Sequence, residues 1–385
     1  MRKAALLLIC FPLLLACNRQ DPAPANNPAV SVYDSGYYTF PGQLGKTGTS
    51  AIVAKDGNLV LCGMNSGRGY IVKAGLDGSI TWRKDHMVYD GTELISIAER
   101  SDGGYMLCGA GKTDLLVIAT TASGERQWLK NYGDGSVTVA RCIVRTADNN
   151  YFIAGHSSIN ESAANTDIFL MKINAGGEVL WRKIIETPQQ ELCYALAPIG
   201  NDVLVTGSKM ENAEQRLYYL KLDATGNKLW EKTGTETYCN GAYSIESNGN
   251  IITCGTNAIA GYNSAIIIKA DASGKMVWQK QLSEPTSHLD ISSVCTVNDG
   301  FLLAGTSKNV AGASNPSDIF IAKLDGEGNL LWKKKLGGAK DDGACFITAN
   351  NGKVIIAGNT GSYGKENTDG NTFILHTDNS GNIVD

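Results

Sequence analysis

The chain has 385 residues, 43% of them hydrophobic and 19% charged, with 34 basic against 38 acidic side chains. That is enough apolar material to bury a sizeable core, which excludes a disordered chain. A formal net charge of −4 with no basic cluster argues against nucleic acid as a partner, because phosphate binding needs concentrated Lys and Arg.

Arg2 and Lys3 precede a short apolar run, Ala4 to Leu15, interrupted by Pro12. The run is too short to span a bilayer and reads as a signal peptide over residues 1–16. Its ending, Leu14-Leu15-Ala16-Cys17, resembles the lipobox of bacterial lipoproteins. The resemblance implies that Cys17 becomes the acylated first residue of the mature chain. Each buried acyl methylene contributes about 0.8 kcal/mol, so several chains hold a protein firmly. Asn18 is not the Asp that retains such proteins in the inner membrane, so the outer membrane is the expected location. Residues 17–30 are polar and rich in Pro, Ala and Asn and read as a tether. The lipid is the only membrane contact expected.

From residue 31 onward the chain is repetitive. Six Trp (Trp82, Trp128, Trp181, Trp230, Trp278, Trp332) recur at intervals of about 46 to 54 residues, each followed two residues later by Lys. Four strands precede or contain each Trp. Strand A ends at a tight Asp-Gly or Asn-Gly pair such as Asp56-Gly57 or Asp299-Gly300, the strongest short hairpin signal. Strand B is short and apolar and is expected to stop at a Gly. Strand C is an aliphatic run such as Ile168 to Ile173, followed by a D-x-x-G turn, and strand D carries the Trp. The strand-B glycines (Gly63, Gly109, Gly155, Gly207, Gly255, Gly305, Gly358) count seven repeats. Nothing has helical periodicity. The expected fold over 31–385 is therefore an all-β, seven-bladed β-propeller of four-stranded antiparallel blades. The Trp read as packing residues between blades, and the paired Lys as a charge guarding the outer edge strand.

The seventh repeat stops at Asp385, where a Trp is due, so its outer strand is missing. The unassigned stretch Ser31 to Phe40 is expected to supply it, closing the ring with Tyr37 or Tyr38 in place of the Trp. Ten Cys in an exported chain invite disulfides. However, Cys62, Cys108 and Cys254 share one repeat position with Ala154, Thr206, Ala304 and Ala357, a site for a small side chain. Mostly free, buried thiols are expected.

The pattern D-x-F-x-x-K-x-D-x-x-G-x-x-x-W-x-K resembles the repeats of propellers in many bacterial secreted and surface proteins. Its L-D-x-x-G-x-x-L-W part, Leu222 to Trp230, also resembles the quinoprotein-type repeat. That repeat occurs in quinone-dependent dehydrogenases and in assembly scaffolds of the outer-membrane barrel machinery. The chain has neither a vicinal Cys pair nor C-x-x-C-H, so the resemblance carries over no cofactor and no catalytic residue.

In an up-and-down blade the A–B and C–D turns share one face, while the B–C and D–A loops share the other. The former are uniformly tight here and the latter vary, so the variable face is the expected binding surface. Candidates on it are His86, Tyr89, Tyr132, His156, Asn160, Tyr262, Asn315 and Tyr363. Three His on that face lack metal-binding spacing, and no metal site is expected. The leading expectation is a lipid-anchored, non-enzymatic, monomeric binding or scaffolding module for a protein or glycan. The alternatives are a glycan-cleaving enzyme and a periplasmic outer-membrane assembly factor. A glycosidase would need a carboxylate pair, drawn from loop acids such as Asp85, Asp90, Glu186, Glu191, Asp341 and Asp342. The lipobox is directly testable: Cys17→Ser is expected to release the protein from membranes on fractionation, and retention at wild-type level would refute the anchor.

Overall fold

The computed structural model describes residues 31–33, 37–41, 50–65, 67–86, 93–110, 115–133, 137–158, 166–237, 239–259, 262–310, 315–350, 352–363 and 371–384. The proposed signal peptide, Cys17 and the tether lie outside them. Among the described residues no helix is long and apolar enough to cross a membrane. Seven antiparallel sheets form a seven-bladed β-propeller. Blades 1 to 6 span 51–86, 93–131, 137–185, 191–237, 239–282 and 287–336, and blade 7 begins at 342. Blade 6 is representative: strand A Ser287–Val297, B Gly300–Asn309, C Ser317–Asp325 and D Leu330–Leu336.

The apolar repeats bury themselves between blades rather than within them. One core cluster joins each neighbouring pair, including Leu59, Leu61, Tyr70 and Val72 of blade 1 against Ile355, Ala357 and Ile374 of blade 7. The Tyr70 hydroxyl and Thr372 Oγ1 lie 3.0 Å apart across that seam. The ring is thus sealed by the same physics as every other joint, the removal of two apolar sheet faces from water.

The Trp-x-Lys motif clasps one blade to the next. A Cβ added at the D-x-x-G glycine of the following blade would lie 2.5–2.9 Å from the Trp ring, at Gly124 (Trp82), Gly177 (Trp128), Gly226 (Trp181), Gly274 (Trp230), Gly328 (Trp278) and Gly381 (Trp332). The same glycines have φ between +72° and +82°, so two independent demands select Gly there. The Lys was expected to guard an exposed edge. Instead its amine reaches the same turn: Lys130 Nζ donates to Gly176 O at 2.7 Å, Lys183 Nζ to Gly226 O, and Lys334 Nζ to Asn382 Oδ1 at 2.5 Å. Lys84 pairs with Glu125. Within the turn the Asp holds the loop for the clasp. Asp325 Oδ1, for example, accepts from the amides of Glu327 and Asn329 at 2.9 and 2.8 Å.

Strand B does not stop at its Gly. In blade 4 it runs on to Glu211, four residues past Gly207. The Gly instead sits opposite a β-bulge in strand A. Register slips between Leu94 and Ser96, Ala140 and Cys142, Cys193 and Ala195, Ile291 and Ser293, and Ala344 and Phe346. The bulge pushes the strand-A carbonyls of Glu93, Val139, Leu192, Asp290 and Gly343 against the glycine, so that any Cβ there would collide with backbone.

The ring closes through the N-terminal strand, as expected from the sequence. Tyr37–Pro41 pairs antiparallel with Asn371–Thr377, from Tyr37↔Leu375 to Pro41↔Asn371, and Ser31–Tyr33 adds a fifth strand outside it. The expected Trp substitute needs correction at the level of register. In blades 1 and 3 to 6 the Trp faces the strand-C Lys, as in Lys323↔Trp332, and in blade 2 it faces Ala119 at the same position. Its counterpart in blade 7 is His376, and Tyr37 pairs one residue away from it. Ile383 bridges to Thr377, and the Val384 amide donates to His376 O at 3.1 Å. The outer strand of blade 7 is therefore composite: the C-terminal end opens it and residues 37–41 continue it. In the pairing register no described outer-strand residue stands opposite His376.

The seven cysteines with described side chains are free, and Cys62, Cys108, Cys193 and Cys254 are fully buried. Burial pushes the Cys62, Cys295 and Cys345 thiols up to about 12.

Two predictions test this architecture. A chain starting at Thr49 loses the shared outer strand. Compared with one starting at Val30, its thermal unfolding midpoint, followed by circular dichroism, is expected to drop on the order of 5–10 °C. Trp230→Ala is expected to cost about 3 kcal/mol in denaturant unfolding, against about 1 kcal/mol or less for Lys232→Met. Equal costs would remove the Trp from the centre of the clasp.

Candidate functional site

The two faces differ as the loop lengths implied. The A–B turns are tied down. Lys73, Lys172 and Lys323 of strand C bond Asp56, Asp148 and Asp299 of the turn in their own blade at 2.5, 2.8 and 2.8 Å. On the opposite face strands B and C run on beyond the sheet centre. In blade 4 they close through Asn212 and Ala213, both at positive φ, in the geometry that matches strand twist.

Strand A of each blade lines the axis, and the bulges aim its side chains inward. They enclose a central chamber of about 880 Å³, within the size range of small-ligand sites. Its walls include Ile52, Ile97, Ile143, Leu192, Ile245 and Phe346, together with Ser96, Ser292, Ser293, Tyr194 and Tyr243. Most of the wall hydroxyls are already engaged. Ser96 and Ser293 Oγ accept the amides of Ile143 and Ile347 of the next blade at 3.2 Å, and Ser292 Oγ donates to Ala344 O at 2.6 Å. The Tyr194 hydroxyl lies 3.0 Å from Ser208 Oγ and 2.6 Å from Gln215 Nε2.

Arg141, the bulge residue of blade 3, is the one Arg, Lys, Asp or Glu among the described lining residues. Its Nε donates to His156 Nε2 at 3.1 Å, while the Cys193 amide points at His156 Nδ1 from 3.3 Å. A neutral imidazole has one bare ring nitrogen, so His156 accepts from only one of these donors, the shorter contact being that of Arg141, and an imidazolium would accept from neither. Burial, with the Arg141 charge added, lowers the His156 pKa to about 4. The arginine is thus held by a neutral imidazole. The nearby Glu93 carboxyl is raised by burial and drawn back by Arg141, but the two form no ion pair. Cys142 and Cys193 Sγ lie 3.9 Å apart beside this pair.

The residues singled out from sequence are scattered by the fold. His156 lines the chamber. His86 is buried, and Tyr132 donates to Gly177 O at 2.8 Å. Each lies four residues after a clasp Trp, and His86 likewise bonds the backbone of the facing glycine, Gly124. Both therefore extend the clasp and do not form an open loop surface. Tyr363 is buried in the blade 6–7 core, with its amide on Thr360 Oγ1 at 3.0 Å and its carbonyl on Asn371 Nδ2 at 2.9 Å. Asn315 is half-buried before strand C of blade 6, and Tyr262 opens strand C of blade 5. Tyr89 and Asn160 lie outside the described residues. Sequence reading missed Arg141, Tyr194 and Tyr243.

The candidate carboxylates are engaged in scaffolding. Asp342 is buried and accepts from Thr360 Oγ1 at 2.5 Å, Ser362 Oγ at 2.7 Å and the Gly338 amide at 2.8 Å. Its pKa is raised by burial against these bonds. Asp341 accepts from the amide and hydroxyl of Ser317. Glu191 is buried, accepts from Thr187 and lies 3.5 Å from Lys209. Asp85 accepts from Arg83 Nε. Glu186 is exposed, and Asp90 lies outside the described residues. No group of three or more His, Cys, Asp or Glu suited to a metal ion occurs among the described residues.

Residues 169–341, under half of the chain, match the family profile described as outer membrane protein assembly factor BamB. No curated protein matches the chain in sequence. Among solved structures, the WD40 domain of Neurospora crassa Pan2 is 14% identical, with 94% of this chain and 100% of that one covered at a TM-score of 0.56. The polysaccharide lyase Uly1 is 10% identical, with 88% and 91% covered at 0.57. Drosophila Plexin A, solved with Semaphorin 1b, is 10% identical, with 92% and 88% covered at 0.52. At these identities the likeness is one of fold. The chain is thus a seven-bladed β-propeller, part of which is similar in sequence to the assembly-factor profile.

Proposed function

We propose that the chain is a lipid-anchored, non-enzymatic scaffold that holds a protein or glycan on its variable-loop face at the outer membrane. The observation that carries this reading is the asymmetry of the disc. One face is a set of tight turns pinned by strand-C lysines, and the other bears the long B–C connections of blades 3, 6 and 7. Loops on a rigid frame are where binding groups concentrate. The alternative is a glycan-cleaving enzyme, hydrolase or lyase, and of these the hydrolase would need two carboxyl groups about 5–9.5 Å apart across a cleft. No carboxylate lines the chamber among the described residues. A second reading, an outer-membrane assembly factor, is favoured by the match of residues 169–341 to the assembly-factor profile. It is a special case of the first, with a protein as ligand.

Deleting 159–165 and 364–370 tests the face assignment. These connections join strands that pair along their length, so their loss is expected to cost less than about 1 kcal/mol in stability. A photo-crosslinking residue at position 160 is expected to yield ligand adducts in cells, and one at 273, in a C–D turn, none. A glycan array on the chain from Val30 separates sugar from protein. Adducts from 273 alone would reverse the faces.

A further inference from the structure

We propose that the central chamber is itself a ligand site, and that it binds the carboxylate of an amphiphilic monoanion at Arg141. This goes beyond the macromolecular role of the loop face and does not depend on it.

The first observation is a cation without an ion-pair partner. An arginine keeps its proton inside a protein. Half-buried Arg141 lines a chamber open to solvent, with no acidic residue among the described wall residues and Glu93 near enough to feel its charge but not ion-paired to it. Its Nε is occupied by His156, and no described residue partners its two terminal nitrogens. These are the atoms that grip a carboxylate in the two-pronged geometry. A partly desolvated guanidinium with free donors favours an anionic ligand over a neutral one.

The second observation is that the cation is deliberately held. Arg141 stands on a β-bulge, a device that re-aims a side chain, and at that position the other blades carry Ile95, Tyr194, Ser292 and Cys345. Its Nε is held by His156 on the neighbouring strand of the same blade.

The third observation sets the rest of the ligand. Ser292 donates to Ala344 O and Tyr194 is tied to Ser208 and Gln215, while Ser96 and Ser293 accept backbone amides and keep a proton to donate, so the wall offers a polyhydroxylated ligand only a few hydroxyl donors. The remaining surface is largely aliphatic: Ile52, Ile97, Ile143, Leu192 and Ile245. One cation suits a single carboxylate rather than a phosphate dianion. Aliphatic walls around it suit an apolar chain attached to that carboxylate.

The probe is decanoate, measured by isothermal titration calorimetry on the chain from Val30, with decanol, decylammonium and acetate as comparators. Decanoate is expected to bind at least tenfold more tightly than decanol, and decylammonium and acetate not detectably. Arg141→Met is expected to weaken decanoate at least tenfold and leave decanol unchanged, while Arg141→Lys keeps part of the difference. Ile97→Trp, which fills the chamber from another blade, is expected to abolish binding of both decanoate and decanol with Arg141 intact. This keeps the test decisive if Arg141→Met fails to fold. Decanol as tight as decanoate, no decanoate binding, or full binding by Arg141→Met or Ile97→Trp would each overturn the proposal. The loop deletions of 159–165 and 364–370 should leave decanoate binding intact, so failure here and failure of the loop-face reading are distinguishable.

Discussion

The structure depends on one contact repeated around the ring: a Trp on the outer strand of one blade, seated on the D-x-x-G glycine of the next. Every part of the repeat serves it. The glycine must lack a Cβ because the Trp ring occupies that space, and it must take positive φ because the turn demands it. The Asp that opens the turn bonds two of its amides, so the seat is rigid before the Trp arrives. The Lys two residues after the Trp bonds the same turn. A propeller blade cannot bury both its faces alone, and neighbour-to-neighbour clasps make the ring cooperative. Blade 7 shows the constraint from the other side. Its own turn glycine, Gly381, receives Trp332, yet its outer strand is assembled from the two ends of the chain, Ile383 to Val384 and Tyr37 to Pro41. Closure therefore depends on two distant segments of the chain pairing at one edge.

How much of this was legible follows from what each feature does to sequence. The clasp leaves a periodic trace, because six Trp-x-Lys and the D-x-x-G turns must recur. Blade count, turn positions and the closing strand could therefore be read directly. The bulges leave a fainter trace. They add a residue to strand A without altering its composition, and their clearest mark is the strand-B glycine, which resembles a strand end when met in isolation. Gly207 is followed by Ser208 to Glu211, a polar run that invites a loop assignment, although those residues are paired strand. His86 and Tyr132 misled for a related reason. They look like unique loop residues until counted from the preceding Trp, where they share the register of Ile185, Leu282 and Leu336.

The same counting would have found Arg141. A residue that recurs in equivalent positions serves the scaffold, and one that departs from its equivalents serves something else. At the bulge position the blades offer Ile95, Tyr194, Ser292 and Cys345, so an arginine there is the departure. Reading it required the bulge register, which pairing partners define and periodicity does not. The tyrosines and histidines chosen from the loops were selected by residue type, a weaker criterion than position within the repeat.

The scaffold also explains why chemistry is sparse on it. Acidic side chains are common in the chain, but the geometry spends them. Asp56, Asp148 and Asp299 anchor strand-C lysines, Asp325 and its equivalents cap the clasp turns, and Asp342 stitches two loops of blade 7. A carboxylate bonded by two or three donors is a structural group whose basicity is already used. What remains unspent is on the axis, where, among the described residues lining the chamber, Arg141 is the one Arg, Lys, Asp or Glu. In a ring stabilised by near-identical joints, function is free to occupy the one place that no joint uses, and the braced, unpaired guanidinium of Arg141 stands there.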